Sequence, residues 1–278
     1  MKTLAFLLTS FLLSVSFCMA QVDTVYTHTS KIPCVVKEIT PEFVKYSFPG
    51  EELINTVYKN AVQKIVFKSG REEIFAPSAH SKKVANLHAF ENVTITLEKN
   101  EVNGFLKLGE ASSIAQGNTM FSALNQVEDR AQKRLKIFAA MMGGNLVYIT
   151  QNEATKASSW GSNNVRYSKP TESFLTGMVY STDVLDINKF KARIGGKTEF
   201  SAVESANFTG TTTSIRVYPS KRILKLRSIK EENGLLTIEG SLEGASKHKA
   251  FRVASFDEEF FHIFYEDKGT AYNIKMKI

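Results

Sequence analysis

Between Asn118 and Thr150 the apolar residues Met120, Leu124, Val127, Ala131, Leu135, Phe138 and Met142 recur at alternating steps of four and three. That spacing gathers them on one stripe of an α-helix. It predicts a helix of about 24 residues, roughly 36 Å long, with Asn118 or Thr119 as its N-cap. The opposite face carries Glu128, Asp129, Arg130, Lys133, Arg134 and Lys136, acids before bases, an order that suits the helix dipole and a solvated surface. Gly143-Gly144-Asn145 ends the helix, because glycine enters the left-handed region without a Cβ penalty, and Leu146 to Ile149 starts a buried strand.

Elsewhere the period is two. From residue 22 to about 76, the runs Cys34 to Ile39, Phe43 to Phe48 and Ile65 to Phe75 alternate between turns at Thr40-Pro41, Pro49-Gly50 and Ser69-Gly70, a small antiparallel β domain. Pro77 to Leu87 reads as a linker. Phe90 to Leu97 alternates cleanly, with Val93, Ile95 and Leu97 on its dry side, and Val102 to Ala115 is a longer extended run. Glu153 to Pro170, polar and glycine-containing, reads as a long loop holding Trp160, and Ser173 to Tyr180 returns to strand. From Asp183 onward short strands follow one another. Leu224 and Leu226 must share a core with Leu236, Ile238 and Leu242. Pairing even positions with even ones needs an odd-length loop, and the three residues Glu232-Asn233-Gly234 satisfy it. Phe260 to Tyr265 reads as a central strand. Tyr272, Ile274, Met276 and Ile278 alternate with Asn273, Lys275 and Lys277 as a closing strand with one wet side.

The expected class is α+β: an N-terminal antiparallel β domain (21–78), central strands packed on one long helix (88–182), and a C-terminal antiparallel sandwich or half-barrel (183–278). Two segments carry resemblances. Lys37 to Tyr46 with Gln63 to Gly70 resembles a β module near the start of many exported multi-domain proteins of Gram-negative commensal bacteria. The resemblance implies export and a β fold, and no activity. Leu108-Gly109-Glu110-Ala111 with Ala131, Leu135, Ala139-Ala140 and Gly143-Gly144-Asn145 is similar to small α/β domains of envelope and stress-sensor lipoproteins. Where those use cysteines for disulfides or metal, this segment has none, so neither role carries over.

Residues 1–20 read as a secretory signal peptide: Lys2, an apolar run from Leu4 to Phe17, then Cys18-Met19-Ala20. A bilayer span needs about 20 apolar residues, and this run is shorter and interrupted by serines, so cleavage before Gln21 with no transmembrane segment after it is expected. The expected location is periplasmic or extracellular, with lipid attachment at Cys18 as the alternative. Cys34 then remains as the single thiol, and its apolar neighbours mark it as a buried hydrophobe rather than a nucleophile. The formal net charge of +7 over 278 residues is spread among interleaved acids, without the aromatic-basic cluster of a nucleic-acid surface.

Candidate chemistry is sparse. His80 and His88 lack a ligand spacing. Gly104 and Gly109 enclose four residues as a P-loop does, but Glu110 stands where lysine is needed. No catalytic, cofactor or metal residue is assigned. The expected function is a non-enzymatic binding or scaffold module of the cell envelope with a protein or glycan partner. Trp160 is its expected contact, a large aromatic among small polar residues. The alternative is a periplasmic hydrolase of glycans or peptides using Asp257 and Glu259.

Overall fold

The computed structural model describes residues 22–27, 30–75, 82, 84, 86–119, 122–162, 165–211 and 214–278. The proposed signal peptide and His80 lie outside them. The chain divides into two compact units, Met1–Ala76 and Pro77–Ile278. It is rich in antiparallel strands with few helices, and among the described residues no helix is long and apolar enough to cross a membrane.

The first unit is one antiparallel sheet. Its strands are β1 (Asp23–Thr27), β2 (Lys31–Ile39), β3 (Phe43–Ser47), β4 (Asn55–Tyr58), β5 (Val62–Val66) and β6 (Glu72–Ile74), ordered β4-β3-β2-β1-β5-β6. Val25, Cys34, Val44, Tyr46, Val62 and Ile65 form the core. Cys34 is fully buried, and that burial is the main cause pushing its thiol pKa up. The buried Asp23 carboxylate accepts from the Val36 and Lys68 amides at 2.9 and 2.8 Å. One side chain thereby joins β2 to the β5–β6 turn.

In the second unit Leu87–Asn92 is a 3-10 turn, its last three residues lying where strand was expected from Phe90, and the Asn86 side chain caps the His88 amide at 3.0 Å. Only Thr94–Thr96 is extended (β7). Thr96 then accepts from the Glu98 amide, turning the chain and leaving Leu97 69% exposed. β8 (Leu106–Gln116) follows, then α1 (Leu124–Met141), β9 (Leu146–Thr155), β10 (Ser158–Ser162), β11 (Val165–Lys169) and β12 (Glu172–Ser181). The four-stranded sheet runs β7-β9-β12-β8, with β7 parallel to β9 and the rest antiparallel. The expected loop from Glu153 to Pro170 is instead strand: β9 continues to Thr155 and β10 pairs with β11. Ser158, Ser159, Ser162 and Ser168 lie on these two strands.

α1 starts later than the stripe predicts. Thr119 and Ser122 exchange hydrogen bonds in a turn of their own, and Ala123 takes the N-cap position without a side-chain cap. Val127, Ala131, Leu135, Phe138 and Met142 are buried as expected, but so are Ile137, Ala139, Ala140 and Met141, because the helix is covered on two sides. Arg134, expected in solvent, is 7% exposed and donates to the Ile114 carbonyl. The Gly143-Gly144 stop closes as a Schellman turn, Gly144 N–H to Ala139 and Gly143 N–H to Ala140. Gly143 has φ +83°, and a Cβ there would strike the Ala254 carbonyl.

The remaining elements are α2 (Ile187–Ile194), β13 (Glu199–Thr209), β14 (Arg216–Pro219), β15 (Ile223–Glu232), β16 (Leu235–Leu242), β17 (Ala250–Phe256), β18 (Phe260–Asp267) and β19 (Thr270–Lys277). Sequence reading missed α2, although Asp186 caps the Asn188 and Lys189 amides and Gly195 ends it left-handed. β13 and β15 to β19 pair in succession and β19 pairs back onto β13, so the strands close into a barrel rather than a half-barrel or sandwich. Phe200, Leu224, Ile238, Phe251, Phe261 and Ile274 fill it. Phe190 of α2 packs tilted against Phe256 and edge-on against Phe261, with ring centroids 5.2 and 5.5 Å apart.

The β15–β16 turn differs from the odd loop expected. It is the two-residue Asn233-Gly234, with φ +53° and +79°, and Glu232 pairs with Leu235. A bulge at Arg227 restores the even pairing, since Leu226 faces Gly240 and Leu224 faces Leu242. At that bulge a Cβ on residue 240 would collide with the Lys225 carbonyl.

The boundary expected at 182/183 falls inside this second unit. Ala206, Phe208, Phe264 and Ala271 on the barrel's outer wall share one core with α1. Phe138 and Phe264 meet at 6.3 Å. The Arg252 guanidinium donates to the Leu108 carbonyl at 2.6 Å and the Met142 carbonyl at 3.0 Å, and lies over the Phe264 ring.

Candidate functional site

Where the apolar contact with α1 ends, the same outer wall becomes polar. Strands β18, β19 and β13 are adjacent there, and the register sets His262 opposite Lys275 and Lys275 opposite Glu204. These three side chains therefore form one row across the wall, directly beside the row Phe264, Asn273 and Ala206 that borders α1. The segment Asn86 to His88 and Asp257 of the β17–β18 turn complete a cleft of about 150 Å³.

Asn273 orients the imidazole. Its Nδ2 donates to the Met141 carbonyl at 2.8 Å, so its Oδ1 is the atom 2.9 Å from His262 Nδ1. An amide oxygen only accepts, and the proton is therefore assigned to Nδ1, which leaves Nε2 with a lone pair. Burial holds the His262 pKa below its ordinary value. The Asn273 bond, Asp257 and Glu204 oppose that shift, and Lys275 adds to it.

Asp257 Oδ1 accepts from the Glu259 and Phe260 amides at 2.9 and 2.8 Å. Burial would raise its pKa, but those two bonds, with His262 and Lys275, outweigh it and hold the carboxyl ionised. Lys275 Nζ sits over the Phe260 ring at 4.0 Å. His88 Nε2 lies 3.7 Å from Glu204 Oε1, bringing the turn down onto the wall. The chemistry available is that of an oriented neutral imidazole with two carboxylates and one ammonium: accepting and donating hydrogen bonds and holding a small charged ligand.

Among residues singled out from sequence, Asp257 and His88 reach this cleft, and Glu259 is not part of its lining. The neighbouring Glu258 is exposed and 3.7 Å from Arg193. Trp160 lies on β10 opposite Tyr167, and its side chain is outside the described residues. At the foot of that ribbon a wider, open cavity of about 620 Å³ is lined by Ser122 to Asn125, Glu128, Lys156, Ala157 and Thr171. It lacks the convergence of ionisable groups seen on the barrel wall. No group of side chains suited to a metal ion occurs among the described residues.

Sequence reading missed His262, Glu204, Asn273 and Lys275 as a set. Their one local signal is polar residues alternating with core positions on three strands, a pattern every half-buried strand shows. No family model, curated protein or solved structure matches this chain.

Proposed function

We propose that the protein is an exported cell-envelope binding module, non-enzymatic, whose ligand site is the barrel-wall cleft around His262. The observation that carries this reading is the Met141–Asn273–His262 chain, which presents one imidazole lone pair to a cleft bearing charges of both signs. Orienting a polar group by a buried partner is characteristic of sites that recognise rather than merely solvate. Export rests on the apolar run after Lys2. The hydrolase alternative draws less support, since Glu259, the second of its two carboxylates, does not line the cleft with Asp257.

Native mass spectrometry of protein isolated from its own envelope tests both parts. A chain beginning at Gln21 that carries a small molecule, absent when the variant Glu204→Gln is isolated the same way, is the expected result. A species beginning at Cys18 with added acyl mass would move the protein onto a membrane. Retention of the same molecule by the variant would displace the site from this cleft.

A further inference from the structure

We propose that the cleft takes a small primary ammonium compound, which donates an N–H to His262 Nε2 while Glu204 and Asp257 supply the countercharge. This rests on the reading of the cleft as the binding site and adds the chemical class of what enters it.

Three observations lead there. First, the oriented groups accept. With Nδ1–H committed to Asn273, Nε2 offers only a lone pair, and no hydrogen bond to it occurs among the described residues. Asp257 Oδ1 is engaged by its turn, but its second oxygen and the Glu204 carboxylate remain to accept from a ligand. Second, the charge balance is negative. Two carboxylates line the cleft against the single ammonium of Lys275, and that ammonium already rests on the Phe260 ring. A net acidic cleft in a chain of formal charge +7 is the reverse of what a solvated basic surface provides, and it selects a cation. Third, the space is small. A volume of about 150 Å³ is that of an engineered protein cavity that holds one benzene, so the enclosed part of the occupant has only about six non-hydrogen atoms.

The binding has a pH signature. Facing His262 are Asp257 from the β17–β18 turn, Glu204 on β13, and Asn273 and Lys275 on β19, and His88 of the 3-10 turn lines the same cleft with its Nε2 3.7 Å from Glu204. Above its lowered pKa the imidazole accepts. Below it Nε2 gains a proton, loses its lone pair and sets a second cation beside Lys275, so an ammonium ligand is expelled as pH falls.

Ethanolamine, ethylene glycol and glycolate share one hydroxyethyl-like frame with a cationic, neutral or anionic end, and they serve as probes. The full chain is titrated with each at pH 8 while the imidazole nitrogens are followed by NMR, with His262 assigned by its loss in His262→Gln. Ethanolamine is expected to shift His262 saturably and the other two to leave it unmoved. Glu204→Gln should weaken the effect about tenfold or more without lowering the melting temperature, and acidification should abolish it. If glycol or glycolate titrates His262 as well as ethanolamine does, the ammonium class is wrong and the cleft stands. If none of the three moves His262, the cleft is not the ligand site, and both readings fall together.

Discussion

Arg252 is the side chain through which the barrel grips the helix layer. Burial pushes its pKa down to about 10, so at neutral pH it is still a cation, held by two carbonyls and an aromatic face. Arg252→Ala removes the donor of two charge-assisted bonds and leaves the Leu108 and Met142 carbonyls without it. A loss of ~3 kcal/mol in urea unfolding is expected. Arg252→Lys should recover only part of this, since a single ammonium does not reproduce the planar fork that reaches both oxygens. His262 gives a second residue-scale prediction. Its folded pKa lies below the unfolded value of about 6.5. The unfolded chain therefore binds the extra proton first. The contribution of neutral His262 is complete above the unfolded value and is lost as pH falls through it toward the lowered folded one. The melting temperature of wild type should drop more steeply between neutral and mildly acidic pH than that of His262→Gln.

At the scale of elements, the β15–β16 hairpin shows how far local pattern reaches. The requirement that Leu224, Leu236, Ile238 and Leu242 share one interior was legible, because alternation alone demands even-with-even pairing. The means was not, since an odd loop and a two-residue turn with a bulge meet the same requirement. Only the carbonyl crowding opposite Arg227 makes residue 240 a glycine. Gly240→Ala should therefore cost ~1–3 kcal/mol, read as a lower denaturation midpoint, whereas substituting exposed Lys225 should change little. The α1 stripe and its glycine stop were legible from period and cap chemistry. Its second buried face was not, because the helix is also covered by strands more than 60 residues downstream, where Phe138 meets Phe264 and the Met141 carbonyl meets Asn273. Asn273 failed for the same reason. Its alternation with Ile274 marks an outward face, and nothing local says that the Met141 carbonyl covers it. The cleft is assembled by the β13–β19 pairing, the most distant contact in the barrel, and distance in sequence hides it.

For the second unit as a whole, closure is what joins core and site. β19 supplies Ile274 and Met276 to the interior and Asn273 and Lys275 to the cleft, while it seals the edges of β13 and β18. A chain ended after Asp267 keeps every other strand of the barrel but leaves two long edges unpaired, and such edges template association. Size-exclusion chromatography should find that truncation in oligomers or aggregate, even though α1 and the four-stranded sheet are intact in sequence. A monomeric, cooperatively melting truncation would mean that β19 is peripheral.

That pairing also imposes an order in time. β13 is complete at Thr209 and its partner begins only at Thr270, a gap of ~60 residues, or about 3–12 s at ordinary elongation rates. During that interval the edge of β13 has no partner, and Phe138 on α1 has no wall to meet. A ribosome-bound chain therefore carries its stickiest surfaces in the open until the last strand arrives. Its yield in a cell should depend more on whatever holds it unfolded through those seconds than on the stability of the finished barrel.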